Sequence, residues 1–203
     1  MRTHRAVRSL LAATLLLAAH DVAQAAVKIV AIGTSNTYGR YVARGDDYQS
    51  KLEAALRAKG RDVRIINAGK NGDTVAGRLA RLDTAVPPDT QIAIVEFGVD
   101  ERRAGVDLSR IQSGLDQIVD RLRARNVEVL VANYFDVSGG AQAHGALFVT
   151  FNVSQIPMSL LPMSLRIADD PLHHLTPAGY DVIVARMLPS VDALIARVGK
   201  NQR

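Results

Sequence analysis

The feature that most constrains the fold is a regular alternation of short apolar runs with longer helical patterns, beginning at Val27. The apolar runs predict strands at residues 27–32, 63–68, 91–97 and 127–132. The helical patterns cover residues 48–59, 74–82 and 108–125, and Thr74 is a candidate cap for the second of them. A last helix is expected from Pro177 with Thr176 as its cap. This alternation predicts an α/β fold of three layers, with a flavodoxin-like parallel sheet flanked by helices.

Length and composition narrow the classes of protein further. With 203 residues, the chain is long enough for one domain with a sizeable core and too short for two full domains. The absence of Cys excludes disulfides, Cys-based zinc sites, iron–sulfur clusters and a thiol nucleophile. Residues 138–167 do not continue the alternation, since they hold Gly139-Gly140, two prolines and an irregular apolar mixture. We expect an irregular insertion or lid there, with one short helix.

The first 25 residues have the pattern of an export signal. Three arginines precede an apolar run at residues 10–19, and Ala23-Gln24-Ala25 offers a small-x-small cleavage site. The apolar run is too short to cross a bilayer, which needs about 20 apolar residues. We therefore expect residues 1–25 to be a signal peptide and residues 26–203 to be an exported domain, periplasmic or secreted, with no stable membrane span.

The excess positive charge does not indicate a nucleic-acid partner. Residues 1–25 hold three Arg and one Asp, so their removal lowers the formal net charge from +5 to +3. The remaining basic residues are scattered, and aromatic side chains that could stack on bases are not interleaved with them. We expect this charge to be solvated surface charge. The sequence does not predict an oligomeric state.

The first predicted strand ends in a turn that suits a nucleophile. Sites in parallel sheets form at the carboxyl ends of the strands. Ser35 lies there, within Gly33-Thr34-Ser35-Asn36-Thr37, where a sharp turn exposes its hydroxyl beside a backbone N–H. These are the requirements for a nucleophile that contributes to its own oxyanion hole. The same cluster of small polar residues is also typical of ordinary turns.

The next two strand ends carry weaker signals. Gly72 follows the second strand, where a glycine lets the backbone approach a ligand closely; a plain turn before a capped helix is the alternative. Asp100 and Glu101 follow the third strand. Two adjacent carboxylates at this place indicate a site, although they could equally cap the following segment.

The region before the last helix combines carboxylates with histidines. Asp170 precedes His173 by three residues, which is close enough for the carboxylate to orient the imidazole. Two of the three histidines that follow the export signal are His173 and His174. Adjacent histidines rarely bind one metal ion, and no third His-bearing motif is present, so we do not expect a metal site.

Taken together, these motifs resemble those of the SGNH, or GDSL-type, hydrolases, in the order found in that family. The resemblance extends from Val27 to about Leu194. The Ser35 turn is similar to the Gly-Asp-Ser motif and implies that Ser35 is the nucleophile. Residues 67–74 resemble the second motif, which implies that the Gly72 N–H binds the oxyanion. Residues 98–101 stand in place of Gly-x-Asn-Asp, and residues 170–173 match Asp-x-x-His.

Two residues depart from the family pattern. Thr34 replaces the usual Asp, which spares the nucleophile and changes local hydrogen bonding. Asp100 replaces the Asn that donates an N–H to the oxyanion, whereas an ionised carboxylate only accepts hydrogen bonds and carries a like charge. Loss of one oxyanion donor lowers turnover by roughly a hundred- to a thousandfold. Only a protonated Asp100 would serve as a donor.

The family spacing leaves two candidates for the catalytic base. The Asp-x-x-His pattern selects His173, whereas the distance to Gly179 in the following helix selects His174. One extra residue therefore has to be accommodated between Asp170 and the last helix. We prefer His173 slightly and keep His174 as the alternative.

The resemblance implies an exported serine esterase that uses Ser35, one of the two histidines and Asp170. Its oxyanion hole would consist of the Ser35 and Gly72 N–H groups, with Asp100 at the third position. No metal or organic cofactor is required, and the expected partner is a small-molecule or lipid ester, as for the family's lysophospholipase, arylesterase and thioesterase members. The alternatives are a carbohydrate O-acetyl esterase, or a weakly active or non-catalytic binding protein on an esterase scaffold.

Overall fold

A computed structural model describes residues 25–97, 99–134, 136–151 and 162–201. Its five strands are β1 (Val27–Gly33), β2 (Val63–Gly69), β3 (Ile92–Phe97), β4 (Glu128–Asn133) and β5 (Leu147–Thr150). Its helices are α1 (Ser35–Tyr38), α2 (Tyr48–Ala58), α3 (Val75–Ala85), α4 (Val99–Arg103), α5 (Leu108–Arg123), α6 (Ser138–Ala143) and α7 (Pro177–Asn201). Within these ranges, no helix is both long enough and apolar enough to cross a membrane.

The strands form one parallel sheet in the order β2-β1-β3-β4-β5. The order reverses between β1 and β3, so the chain leaves these two neighbouring strands toward opposite faces of the sheet. Ligand sites in such sheets lie beside the reversal, at the carboxyl ends of the strands. The predicted three-layer, flavodoxin-like α/β fold is confirmed.

The central strands are buried on both faces because helices cover both. Ile29 and Ile94 pack in the cluster that includes α2 and α7. Val30 and Val95 point to the opposite face and pack against α3 and α5. This alternation explains why the strands read as continuous apolar runs in the sequence.

Two helices begin at the caps that the sequence predicts. The Thr74 hydroxyl accepts a hydrogen bond from the Gly77 N–H at 3.0 Å, and α3 follows directly. The Thr176 hydroxyl accepts from the Gly179 N–H at 3.2 Å, and Pro177 is the first residue of α7. Each bond satisfies a backbone donor that the first helical turn leaves without an intrahelical acceptor.

The region predicted as an irregular insertion is more regular than expected. Helix α6 is the predicted short helix, but β5 pairs with β4 from Leu130↔Leu147 to Asn133↔Thr150 and adds a fifth strand to the sheet. The expectation of irregular structure is therefore wrong for β5. A four-residue apolar run is too short to show a period, so pairing with an already formed strand decides its conformation. Residues 152–161 of this region lie outside the described residues, as do residues 1–24 of the expected signal peptide.

Gly69 couples the end of β2 to helix α1. A Cβ atom at position 69 would overlap the backbone of Thr37 and Tyr38, so only a glycine allows the helix to lie this close to the strand. The Lys70 N–H donates to the Gly33 carbonyl at 3.0 Å and holds the two strand ends together. The position of α1 therefore depends on a glycine in a different strand.

We predict that Gly69→Ala lowers the free energy of unfolding by about 1–3 kcal/mol, because the added methyl group must displace backbone. Gly199→Ala is the matched control, since a Cβ atom there meets nothing within 4 Å. That control should leave stability unchanged or raise it by up to about 1 kcal/mol, because alanine favours the helix. Urea unfolding of both variants checks this, and equal effects would contradict the close contact at Gly69.

Candidate active site

Ser35 is the first residue of α1 and is positioned by a buried carboxylate below it. Glu96, at the carboxyl end of β3, accepts hydrogen bonds from the Thr34 N–H at 2.7 Å and from the Thr34 hydroxyl at 3.0 and 3.1 Å. The Thr37 hydroxyl donates to the same carboxylate at 3.0 Å. Burial raises the pKa of Glu96, while the charge of Arg78 and these donors oppose the rise. The residues on both sides of Ser35 are thus bound to one side chain.

The backbone carbonyls of this short helix also have specific partners. The Ser35 carbonyl accepts from the N–H groups of Gly39 and Arg40 at 3.1 and 3.0 Å. The Asn36 carbonyl accepts from the Tyr180 hydroxyl of α7 at 2.9 Å. A four-residue helix makes few bonds of its own, so these partners satisfy carbonyls that would otherwise be unpaired. The Tyr180 bond fixes the segment that carries Ser35 relative to α7.

Ser35, His174 and Asp170 form a continuous hydrogen-bonded chain. The Ser35 Oγ lies 2.7 Å from His174 Nε2, and His174 Nδ1 lies 2.6 Å from Asp170 Oδ2. All three side chains are buried. Since a carboxylate accepts, Nδ1 carries the proton in this pair and Nε2 is left to accept the hydroxyl proton of Ser35. The arrangement is that of a serine nucleophile, a general base and a carboxylate that orients the base.

His174, and not the slightly preferred His173, occupies the position between Ser35 and Asp170. His173 is half-buried and directs its Nδ1 toward Arg166 Nη1 at 3.5 Å. The extra residue is accommodated by left-handed backbone at His173, with φ of 54°. The turn closes through the His173 N–H, which donates to the Asp170 carbonyl at 3.0 Å. Motif spacing does not reveal a left-handed residue.

Asp170 orients His174 through two separate bonds. Its Oδ2 accepts from the backbone N–H of His174 at 2.6 Å as well as from the imidazole, and Oδ1 accepts from the Leu172 N–H at 3.2 Å. Burial by itself raises the pKa of Asp170, but these donors and the nearby imidazole outweigh it and lower the pKa below its usual value. The carboxylate is therefore held in its charged form.

The three candidate oxyanion groups lie at the same edge of the sheet. Gly33 pairs with Gly69 in register, so the Ser35 and Gly72 segments leave neighbouring strands side by side. Gly72 lies in an exposed turn with φ of 67°, which a glycine adopts readily. Asp100 lies in α4, after β3, and is half-buried. Its Oδ2 is buried and has no hydrogen-bond partner among the residues that the structure describes.

Glu101 has a structural role that separates it from Asp100. Its carboxylate accepts from the Val75 N–H at the start of α3 and pairs with Arg78 at a distance of 3.0 Å. Both side chains of this ion pair are buried. Glu101 therefore binds the start of the preceding helix α3 and not the segment that follows it, whereas Asp100 remains at the sheet edge.

Glu96 is not among the site residues predicted from the sequence. The sequence nevertheless contains a signal for it, since Glu96 is an ionisable residue within the apolar run of β3, where a charge needs donors or a cation. His144, the third histidine after the expected signal, lies away from this centre and binds Asp120 at 2.7 Å between α5 and α6. Among the described residues, no cluster of three or more His, Cys, Asp or Glu could hold a metal ion.

A family model described as the GDSL-like Lipase/Acylhydrolase family matches residues 31–182, three quarters of the chain. The chain belongs to this family. The matched region contains Ser35, Asp100, Asp170 and His174, so it covers both the hydrogen-bonded chain and the departure at Asp100. The expected membership of the GDSL-type, or SGNH, hydrolases is confirmed.

Individual members of the GDSL-like family resemble the chain more distantly. It is 27% identical over 108 residues to the esterase TesA of Pseudomonas aeruginosa and 27% identical over 123 residues to an arylesterase of Vibrio mimicus. The aligned stretches cover 53% and 60% of this chain, and only 54% and 62% of those two relatives.

Solved structures extend the likeness over most of the fold. AlinE4, titled an SGNH-hydrolase family esterase, is 27% identical with a TM-score of 0.63, and the match covers 84% of this chain and 97% of AlinE4. A crystal structure of TesA has a TM-score of 0.72 over 82% of this chain and 99% of TesA. At 21% identity, the TesA structure supports the fold alone.

We predict that Asp170→Asn destabilises the protein more at neutral pH than in acid. A carboxylate with a lowered pKa stabilises the folded state above the pKa of the unfolded chain, and this contribution is lost as the pH falls through the folded pKa. The difference in unfolding free energy between wild type and variant should therefore shrink from about pH 5 downward. Urea unfolding at several pH values measures it, and a difference that does not change with pH would contradict the prediction.

Proposed function

We propose that this protein is a serine esterase that hydrolyses carboxylic esters through Ser35, His174 and Asp170. The observation that carries the proposal is the hydrogen-bonded chain from Ser35 Oγ to His174 Nε2 at 2.7 Å and from His174 Nδ1 to Asp170 at 2.6 Å. Membership of the GDSL-like family supports the same reaction, as does the similarity to an esterase and an arylesterase.

In the proposed reaction, Ser35 Oγ attacks the ester carbonyl while His174 Nε2 takes the hydroxyl proton. Asp170 stabilises the imidazolium that forms. The tetrahedral intermediate collapses when the bond to the alcohol breaks, and His174 gives its proton to the departing alkoxide oxygen. Water then attacks the acyl-enzyme by the same steps, which releases the acid and restores Ser35.

The developing oxyanion would be bound by backbone donors. Ser35 begins α1, so its N–H belongs to the first turn and is not required for an intrahelical bond. Gly72 supplies a second N–H from the adjacent strand end. Asp100 stands at the third position, where it would oppose the negative charge of the intermediate unless it is protonated.

The proposed substrates are small-molecule or lipid esters, as for lysophospholipase- and arylesterase-like enzymes. The pattern of residues 1–25 supports action after export, in the periplasm or outside the cell. The reaction itself requires no metal ion or organic cofactor, since nucleophile, base and orienting carboxylate are all present on the chain.

Replacement of the serine or the base tests the proposal directly. We predict that Ser35→Ala and His174→Asn each lower the turnover of 4-nitrophenyl acetate by about ten-thousandfold or more. His173→Asn is the matched control and should keep at least about a tenth of the wild-type rate, because Asn tolerates the left-handed φ of 54° at that position. Steady-state kinetics on purified protein with confirmed folding give the comparison.

The outcomes separate the two histidines and the two classes of function. Equal rates for wild type and Ser35→Ala, or no hydrolysis by either, would overturn the esterase proposal. A loss in His173→Asn together with an active His174→Asn would show that the base in solution is the other histidine.

The alternative of a weakly active or non-catalytic binding protein rests on Asp100. Its half-buried carboxylate stands at the strand end where the resemblance implies an oxyanion donor, and one carboxylate oxygen is buried without a partner in the described chain. The hydrogen bond between Ser35 and His174 favours catalysis over this alternative. The two features together predict an enzyme with a defective oxyanion hole.

We predict that Asp100→Asn raises the turnover number by about tenfold or more, because the amide supplies a donor and removes a like charge. Asp107→Asn makes the same charge change at an exposed position before α5 and should alter turnover by less than about twofold. Ester kinetics on both variants measure the effect. A fall in Asp100→Asn would mean that the carboxylate contributes positively to catalysis.

A further inference from the structure

Tyr41 occupies an unusual position directly after the nucleophile helix. The Ser35 carbonyl accepts hydrogen bonds from the Gly39 and Arg40 N–H groups, so the loop that carries Tyr41 is built on the backbone of the nucleophile. The Val42 N–H then donates to the Gly39 carbonyl at 3.3 Å and closes the next turn. The backbone of Tyr41 is therefore bracketed by two turns that begin at the active site.

The conformation of Tyr41 is unfavourable for its residue type. Its φ is 70°, in the left-handed region that favours glycine and disfavours bulky side chains. The side chain is also 56% exposed, so core packing does not account for its placement. A strained, exposed aromatic residue next to a reactive centre is typical of a functional position.

The ring of Tyr41 lies against the proposed catalytic base. Its centroid is 5.4 Å from that of His174, and the two rings meet edge to face at 72°. The Arg40 guanidinium carbon lies 4.8 Å from the Tyr41 ring centroid, and Arg40 Nη2 donates to the Tyr41 hydroxyl at 3.0 Å. The ring is thus held in place by two neighbours while much of its surface stays open to solvent.

The proposed reaction indicates which part of the substrate would contact the exposed surface of the Tyr41 ring. His174 Nε2 must return a proton to the leaving oxygen, so the alcohol portion of the ester has to lie beside the imidazole. Building on the proposed function, we propose that Tyr41 is a specificity-determining residue that contacts this alcohol portion and favours aromatic alcohols. A fixed aromatic ring attracts another ring beyond simple burial and loses little freedom on contact.

Two esters that differ mainly in the aromaticity of their alcohol portion test the proposal. Benzyl acetate and cyclohexylmethyl acetate share the acyl group and have alcohols of similar size and acidity. Wild type is expected to show a higher kcat/KM for the benzyl ester. The ratio of the two kcat/KM values should fall about three- to tenfold in Tyr41→Leu and change little in Tyr41→Phe, which keeps the ring.

A second variant and a matched control separate the loss of the Tyr41 ring from backbone strain and from the loss of any exposed tyrosine. Tyr41→Gly removes the ring and suits the φ of 70°, so it should fold and show the same fall in the ratio. Tyr38→Leu removes another exposed tyrosine of the same segment, 55% exposed, and should leave the ratio within about twofold of wild type.

The possible results distinguish this inference from the proposed function. Hydrolysis of both esters with an unchanged ratio in Tyr41→Leu and Tyr41→Gly would overturn the role of Tyr41 and leave the esterase intact. An equal fall of the ratio in Tyr38→Leu would also overturn it. Ester hydrolysis that survives in Ser35→Ala would overturn the proposed function and, with it, the inference about Tyr41.

Discussion

The turn that carries Ser35 depends on the carboxylate of Glu96. This carboxylate lies at the end of a buried strand and binds the backbone of Thr34 and the hydroxyls of Thr34 and Thr37. A buried carboxylate is energetically unfavourable unless hydrogen-bond donors satisfy it, so the N–H and hydroxyl groups of the turn must point toward Glu96. The hydroxyl of Ser35, between those two threonines, contacts His174 and not Glu96. Thr34 suits this arrangement because its side chain donates, whereas the aspartate usual in the family would bring a second carboxylate to the same place.

His174 is placed by its backbone as much as by its side chain. One oxygen of Asp170 accepts from both the N–H and the imidazole of His174, so a single carboxylate holds this residue at two points. The intervening His173 then has to turn into the left-handed region, where its φ is 54°. This explains why the intervening residue turns its side chain away from Ser35. The family spacing alone could not show which of the two histidines adopts the left-handed backbone and which lies beside Ser35.

Much of the fold could be predicted because its signals are local. Apolar runs, the caps at Thr74 and Thr176 and the helix start at Pro177 each act within a few residues, and the strand–helix alternation leads from them to a parallel sheet. Strand β5 could not be predicted in the same way, since its four residues depend on pairing with β4. At the site, Ser35 and Asp170 follow from motif order, whereas the contact of Glu96 with Thr34 joins residues 62 positions apart. Such contacts are properties of the folded chain.

The buried charge of Arg78 is directed to Glu101 and Glu96, and the carboxylate of Asp100 lies apart from this pairing. Successive residues of a helix point about 100° apart, so Glu101 reaches the buried Arg78 while Asp100 does not share that direction. Arg78 also attracts Glu96, and one guanidinium thus serves two buried carboxylates. Asp100 is only half-buried, so water can solvate part of it in the free protein. In the proposed reaction, an ester bound at this edge would displace that water before negative charge develops on the carbonyl oxygen. The cost of the Asp100 charge would then fall on the transition state, where the backbone N–H groups of Ser35 and Gly72 would have to compensate for it.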